Sequence, residues 1–228
     1  MRAVSPGSGS KFAVPGVAAS MSLRFAVLGD SIAYGQGASA PGDTAAARLT
    51  ADLAGQGIDT DLRMFAVPGA RSDSLAAQVQ QALPWRPRLA LIIIGANDLT
   101  GLVPPQRAAA QLGAAVRQLR AGGVEVVVAP APDLSVVPWV PPQTRLMVQA
   151  GSKLLHQAQT RAALDAGADV ADIGMTSAAG FAADPSLFSA DRFHPSSAGY
   201  AIIASALAPT VRKAAAVALG NVGGITRA

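Results

Sequence analysis

The sequence predicts an α/β fold: a three-layer α/β/α sandwich around a five-stranded parallel sheet. Two features of the chain indicate it. Continuous apolar runs such as "LALIII" (residues 89–94) and "VEVVV" (124–128) are typical of parallel strands that helices cover on both faces. These runs alternate with longer segments of helical periodicity, and right-handed crossovers between parallel strands then place helices on both sides of the sheet.

Five segments are predicted as strands and five as helices. The strands are residues 23–28, 61–67, 89–94, 124–129 and 168–173. The helices are residues 44–56, 72–83, 105–121, 143–166 and 195–218. Pro104 and Pro105 suit the start of the third helix, and Gly122 and Gly123 suit its end.

The chain is long enough for one domain with a sizeable core, since half of its 228 residues are hydrophobic. We expect residues 1–20 to be a disordered leader, residues 21–212 to form the domain and residues 213–228 to be a C-terminal tail. Pro15 and Gly16 interrupt the apolar stretch near the start, which makes a poor signal peptide and favours a cytoplasmic protein. No run of about 18 apolar residues appears, so we expect no transmembrane segment.

The charge distribution argues against a nucleic-acid partner, although the pI is near 10.1. Five basic residues lie close to the two ends, and without them 13 basic residues remain against 14 acidic ones; the five are Arg2, Lys11, Arg212, Lys213 and Arg227. The absence of cysteine excludes disulfides, thiolate catalysis and cysteine-ligated zinc. The two histidines are far apart in the sequence, so we expect no metal site.

Ser31 follows the first strand within "GDSIAYGQG" (residues 29–37), which has two interpretations. A serine at the carboxyl end of a parallel strand lies where α/β folds bind ligands, and it can act as a nucleophile. A glycine-rich loop after a strand can also hold a phosphate. The loop has neither the dinucleotide nor the P-loop glycine spacing, and no lysine lies near it, so the phosphate interpretation is the weaker one.

A serine nucleophile needs a base, and histidine is the usual one. His156 lies in mid-helix and is better interpreted as structural. His194 lies in "DRFHPSSAGY" (residues 191–200), where Pro195 keeps it out of helical geometry at a helix start. Asp191 lies three residues earlier, and it can either orient the imidazole of His194 or simply cap the helix. The residues of this segment alone leave both interpretations open.

Donors for an oxyanion are available after the first three strands. They are the backbone N–H of Ser31, the backbone N–H of Gly69 and the side-chain amide of Asn97. Each also has an ordinary explanation as a turn residue. Their positions at the ends of three successive strands favour a common site.

These motifs together resemble the SGNH hydrolases, also called the GDSL esterase and lipase family. "GDS" (29–31), the isolated Gly69, "GAND" (95–98) and "DRFHPSSAGY" (191–200) follow one another in the family's order, and the resemblance spans roughly residues 23–211. One departure is "VPGARSDS" (67–74), which lacks the asparagine often found beside the glycine. The chain also lacks the G-x-S-x-G elbow of ordinary α/β-hydrolases.

The resemblance implies a flavodoxin-like sandwich and a serine esterase that needs no cofactor or metal. Ser31 would attack the acyl carbonyl, His194 would transfer its proton, and Asp191 would orient His194. Ser31, Gly69 and Asn97 would form the oxyanion hole. Asp30 and Asp98 would be structural. Two rival functions stay open: an inactive carbohydrate- or acyl-binding module, and a phosphate- or nucleotide-binding α/β domain.

The substrate is expected to be a small-molecule ester, and the connecting loops 38–43, 99–104 and 130–142 are expected to determine which one. Four apolar residues in these loops either form an acyl pocket or pack against the fold; they are Leu99, Leu102, Trp139 and Val140. The short chain leaves no room for a separate lid domain, which favours small, soluble esters over long-chain lipids. The sequence does not indicate the oligomeric state.

Overall fold

The computed structural model describes residues 22–223, in which five parallel strands form one sheet in the order β2-β1-β3-β4-β5. The predicted leader (residues 1–20) and the last five residues of the predicted tail lie outside the described residues. The strands are β1 (Leu23–Gly29), β2 (Thr60–Met64), β3 (Leu89–Ile93), β4 (Glu125–Ala129) and β5 (Asp169–Val170). The predicted five-stranded parallel sheet is therefore confirmed.

Eight α-helices connect or follow these strands in the described part of the chain. They are α1 (Ser31–Tyr34), α2 (Ala45–Gly55), α3 (Leu75–Ala82), α4 (Ala96–Thr100), α5 (Pro105–Ala121), α6 (Arg145–Asp165), α7 (Ile173–Ala183) and α8 (Ser197–Gly223). The sequence did not predict α1, α4 or α7. The first two are too short for a helical period, and α7 has apolar residues all round, so it lacks the one-sided pattern of a surface helix.

Apolar layers on both faces of the sheet make the predicted three-layer sandwich. Alternate residues of the central strands enter opposite layers: Leu91 and Ile93 of β3 face one layer, and Ala90 and Ile92 face the other. All four are almost completely buried. Burial of one such leucine or isoleucine side chain contributes about 2 kcal/mol. This double burial explains why the strands have continuous rather than alternating apolar sequences.

The last helix, α8, continues beyond residue 212, where the predicted domain ends. Residues 213–223, assigned above to a tail, are therefore helical. Ala214, Ala215 and Ala218 are buried in the same apolar layer as the earlier turns of the helix. The Lys213 ammonium also contacts the Asp169 carboxylate at 2.6 Å. The alanine-rich sequence extends the inner face of α8, and this packing makes the segment part of the fold.

One helix in the described residues is long and apolar enough to cross a membrane, although no transmembrane segment was expected. It is residues 197–220 of α8, with a mean hydropathy of 1.5. Core helices have the same length and hydropathy, and 44% of its most apolar window is buried inside the protein. Tyr200 and Leu207 on its inner face are completely buried. Length and hydropathy are thus weak evidence for a membrane span here.

Candidate active site

Ser31 is the first residue of α1, immediately after a sharp turn at the end of β1. Gly29 has φ +130°, and a Cβ placed on it would lie 1.8 Å from the carbonyl oxygen of Ile93. Only glycine fits this position. Asp30 is the N-cap of α1, and its carboxylate accepts a hydrogen bond from the Ile32 N–H at 2.9 Å. The turn thus orients Ser31 towards the carboxyl ends of the strands.

Gln78, which the sequence analysis did not single out, holds this turn from α3. Its side-chain oxygen accepts a hydrogen bond from the Gly29 N–H at 2.7 Å, and its nitrogen donates to the Gly29 carbonyl at 2.9 Å. The side chain is buried. The only sequence feature that indicated this contact was a glutamine on the buried face of the helix predicted at residues 72–83.

His194 connects Ser31 to Asp191 through two hydrogen bonds. Its Nδ1 lies 2.6 Å from Asp191 Oδ2, and its Nε2 lies 2.9 Å from Ser31 Oγ. With Nδ1–H donating to the carboxylate, Nε2 is the atom free to accept the serine proton. The structure therefore brings together the three residues that the sequence predicted as a triad.

The Asp191 carboxylate is held by its own loop and does not cap α8, which begins at Ser197. It accepts hydrogen bonds from the N–H groups of Phe193 and His194, both at 2.9 Å, and from the Ser189 hydroxyl at 2.8 Å. The loop geometry therefore favours the orienting interpretation of Asp191 over the capping one.

The pKa of Asp191 lies well below its ordinary value, although loss of hydration alone would raise it. The hydrogen bond from the His194 ring and those from the backbone N–H groups and Ser189 outweigh that effect. The carboxylate is therefore ionised at neutral pH, so it is available to accept the hydrogen bond from His194 Nδ1–H.

The three candidate oxyanion donors follow three neighbouring strands: Ser31 begins α1 after β1, Gly69 lies on the loop after β2, and Asn97 lies on α4 after β3. Asn97 Nδ2 donates one hydrogen bond to the Ala70 carbonyl at 3.0 Å, which ties α4 to the loop that carries Gly69. The second hydrogen on this nitrogen stays available. Gly69 has φ +82°, and no atom lies within 4 Å of a Cβ placed there, so a side chain at this position would meet open space. The Ser31 N–H belongs to the first turn of α1, where backbone donors have no helical partner.

Asp98 also joins α4 to the segment that follows Gly69, in agreement with the structural role expected for it. Its carboxylate accepts hydrogen bonds from the Ser72 N–H at 3.1 Å and the Ser72 hydroxyl at 2.8 Å. Burial is the main cause that raises its pKa above the ordinary value. Burial also raises the pKa of Asp30 to about 7, and the nearby Asp98 adds to the effect.

Asp30 gives a prediction about pH and stability. Burial raises its folded-state pKa to about 7 from the ordinary aspartate value of 3.8, so the unfolded chain binds fewer protons between these two values. The free energy of unfolding should therefore fall as pH rises from about 4 to about 7, by up to about 4 kcal/mol for this group. Asp30→Asn removes the titration. The stability of this variant relative to wild type, measured by urea unfolding at each pH, should rise over that interval; a constant difference would contradict the prediction.

A small, mostly apolar cavity of about 60 Å³ is lined by residues next to Ser31 and His194 in the sequence, although not by the triad side chains themselves. Ile32, which follows Ser31, and Phe193 and Pro195, which flank His194, form the wall nearest to the triad. The loop after β4 and helices α7 and α8 complete it, through residues that include Pro132, Leu134, Val136, Val137, Phe181 and Ile203. The sequence could have indicated this cavity, because the residue after Ser31 and both neighbours of His194 are apolar.

The four residues suggested for an acyl pocket do not line this cavity. Val140 is buried in the core, and Leu99 packs against it. Leu102 is 88% exposed, and Trp139 is 52% exposed. Trp139 stacks on Phe193, with 5.7 Å between ring centroids. Val140 and Leu99 therefore pack against the fold, whereas Leu102 and Trp139 are exposed.

His156 is not part of the site, as expected for a structural histidine. Its Nδ1 lies 3.0 Å from the Ala131 carbonyl oxygen, and its Nε2 lies 3.7 Å from Asp172 Oδ2. No group of three or more histidine, aspartate or glutamate side chains in residues 22–223 is arranged to hold a metal ion.

A Ser–His–Asp hydrogen-bond chain at the carboxyl end of a parallel sheet is typical of serine hydrolases. The family model described as GDSL-like Lipase/Acylhydrolase matches residues 27–202. The chain therefore belongs to this family, as its motifs predicted. It is 36% identical over 196 residues to the GDSL-like esterase Rv1075c of Mycobacterium tuberculosis, a match that covers 84% of this chain. The chain spans 62% of the length of that relative.

Solved structures with low sequence identity share the fold. The structure of TesA matches with a TM-score of 0.71 and 20% identity, over 84% of this chain and 99% of that chain. The psychrotrophic esterase EstA from Pseudoalteromonas sp. matches with a TM-score of 0.66 and 20% identity, over 83% and 97%. The acetylxylan esterase Axe2 from Geobacillus stearothermophilus matches with a TM-score of 0.65 and 17% identity, over 84% and 96%. The predicted fold class is therefore confirmed.

Proposed function

We propose that this protein is a serine esterase that hydrolyses small acyl esters through an acyl-enzyme. The observation that carries the proposal is the continuous hydrogen-bond chain from Asp191 through His194 to Ser31 Oγ. In this mechanism Ser31 attacks the ester carbonyl while His194 takes its proton. His194 then donates that proton to the leaving alcohol, and a water repeats the sequence to release the acid.

The charge that develops on the carbonyl oxygen needs donors aimed at it. We assign this role to the N–H groups of Ser31 and Gly69 and to the Asn97 amide. The hydrogen bonds of Asp98 to Ser72 and of Asn97 to Ala70 support the assignment, because they hold two of the three donors before substrate binds. Donors fixed in this way need no reorganisation during the reaction.

The cavity lined by Ile32, Phe193 and Pro195, the neighbours of Ser31 and His194, favours a short acyl group. Its volume of about 60 Å³ corresponds to about two water-sized groups, and its walls are mostly apolar. Two further observations support an ester substrate. The curated relative is described as an esterase, and one structural neighbour acts on acetyl esters of xylan.

The test combines turnover with covalent labelling. The purified protein should hydrolyse p-nitrophenyl acetate and butyrate faster than the octanoate. Diethyl p-nitrophenyl phosphate should then add one diethylphosphoryl group to the protein, and peptide mapping by mass spectrometry should find it on Ser31. This probe is apt because EstA is described in a form inhibited by monoethylphosphonate. Ser39→Ala, which changes an exposed serine on the loop after α1, should react like wild type.

Each rival function predicts a different result. A binding module without catalytic activity would bind esters but show no turnover and no label on Ser31. A phosphate-binding domain would bind inorganic phosphate and show no turnover. A strong preference for octanoate over acetate would leave the esterase intact but contradict the short acyl group.

Asn97→Ala should lower kcat by roughly 10²–10³-fold with little change in KM, because the amide acts mainly on the transition state. Steady-state kinetics with p-nitrophenyl butyrate would measure both constants. Thr100→Ala is the matched control, since Thr100 lies on α4 as well but is exposed. A wild-type kcat for Asn97→Ala would remove this amide from the oxyanion hole.

A further inference from the structure

Three rings lie in contact between the protein surface and the triad. The Trp139 ring stacks on Phe193 with an interplanar angle of 30° and 5.7 Å between centroids. Phe193 meets the His194 imidazole edge to face, with 4.9 Å between centroids. Trp139 nevertheless stays 52% exposed. We propose that its indole forms the alcohol subsite of the esterase and binds esters whose alcohol carries an aromatic ring.

The chemistry of the proposed esterase, on which this inference rests, fixes the side of the triad where the alcohol lies. His194 Nε2 must protonate the alcohol oxygen, so this oxygen passes beside the imidazole. The oxyanion donors Gly69 and Asn97 follow β2 and β3, whereas Trp139 lies on the loop after β4. The indole is thus on the histidine side of the site and not on the oxyanion side.

The loop that carries Trp139 is held firmly, so little order has to be gained when a ligand binds. Residues 130–142 include five prolines, which restrict the backbone. Two buried side chains of α6 also hold the loop. Gln159 accepts a hydrogen bond from the Ala131 N–H at 2.8 Å, and Ser152 accepts one from the Leu134 N–H at 3.2 Å. A prearranged aromatic surface binds a ring at low entropic cost.

The surroundings of the indole favour an aromatic ring over a sugar. The Phe193 ring offers apolar surface beside the indole, whereas a sugar needs several hydrogen-bonding partners for its hydroxyls. An aromatic pair also gains from ring geometry beyond its buried area, and a saturated ring of similar size does not. This difference allows a test with matched substrates.

Hydrolysis of 2-phenylethyl acetate, 2-cyclohexylethyl acetate and ethyl acetate would test the proposal. All three give the same acetyl-enzyme, so differences in kcat/KM report on the alcohol. Wild type should prefer the phenyl ester to the cyclohexyl ester. Trp139→Ala should lower kcat/KM for the phenyl ester roughly three- to tenfold, mainly through KM, and leave ethyl acetate within about twofold. Trp139→Phe should restore most of the loss, and Leu146→Ala, which removes another exposed apolar side chain, should change nothing.

Three kinetic outcomes would overturn the proposal. An equal loss for ethyl acetate would mean that Trp139 acts by supporting Phe193 and His194. An unchanged phenyl ester, or equal losses for both ring esters, would remove the aromatic preference. Binding separates this proposal from the proposed function: 2-phenylethanol should quench tryptophan fluorescence in Ser31→Ala and not in Ser31→Ala/Trp139→Phe. Ester hydrolysis near the wild-type rate in Ser31→Ala would instead refute the serine mechanism, whatever Trp139 binds.

Discussion

Ser31→Ala should lower kcat for p-nitrophenyl acetate by at least about 10³–10⁴-fold, and His194→Ala should have a comparable effect. The two side chains share the hydrogen bond from Ser31 Oγ to His194 Nε2, at 2.9 Å, and each needs the other to act. The double variant should therefore be hardly slower than either single variant. Residual activity in all three would come from the oxyanion donors and substrate binding.

The measurement is kcat for the wild type and the three variants, at equal concentration of folded protein. Thermal unfolding should give similar midpoints for all of them, because the substitutions remove side-chain atoms from a cleft and not from the apolar layers. Losses that multiply in the double variant would show that the two residues act independently and would contradict a common mechanism.

Gly29→Ala should lower stability more than any other single change considered for this fold. A Cβ at residue 29 would lie 1.8 Å from the Ile93 carbonyl oxygen, and the backbone has φ +130°. Either β1 or β3 would have to shift, and this would disturb their direct pairing at Gly29 and Ile93. We expect a loss of at least about 3 kcal/mol in the free energy of unfolding, which corresponds to a fall of about 6–12 °C in Tm.

Two other glycines separate the sources of this effect. Gly57 has φ +77° and no atom within 4 Å of a Cβ, so Gly57→Ala reports backbone strain alone, about 1 kcal/mol. Gly42 also faces open space and has no such φ, so Gly42→Ala should change stability little. Urea unfolding of the three variants would rank them, and a Gly29→Ala protein as stable as Gly57→Ala would contradict the steric argument.

The sequence predicted the long elements of this fold better than the short ones. Strands buried on both faces and helices with one apolar face produce recognisable sequence patterns, as in β3 and α5, whereas α7 has about three turns but no one-sided pattern. β5 has only two residues, and the predicted strand at 168–173 runs into Ile173, where α7 begins. Such short elements depend on tertiary contacts, which the local sequence does not express.

The residues of the candidate site that belong to the family's motifs could be predicted from the sequence. Ser31, Asp191 and His194 belong to the two motifs at residues 29–31 and 191–200, and in the structure Asp191 Oδ2 and Ser31 Oγ lie 2.6 Å and 2.9 Å from the two ring nitrogens of His194. The surroundings of the site were not predictable in this way. Gln78 contacts the turn before Ser31 from α3, a position determined by packing. Leu102 and Val140 show that an apolar loop residue can equally face solvent or the core.

The direction of α8 determines where the protein can be attached to a surface. The helix starts beside the triad loop and ends near the amino ends of the strands, where the Arg88 guanidinium bonds to the Ala218 carbonyl. From Ser197 to Gly220 it spans about 35 Å. Gly220 is exposed with open space around it, and the chain contains no cysteine. A single thiol introduced there would immobilise the enzyme with its cleft facing the solution.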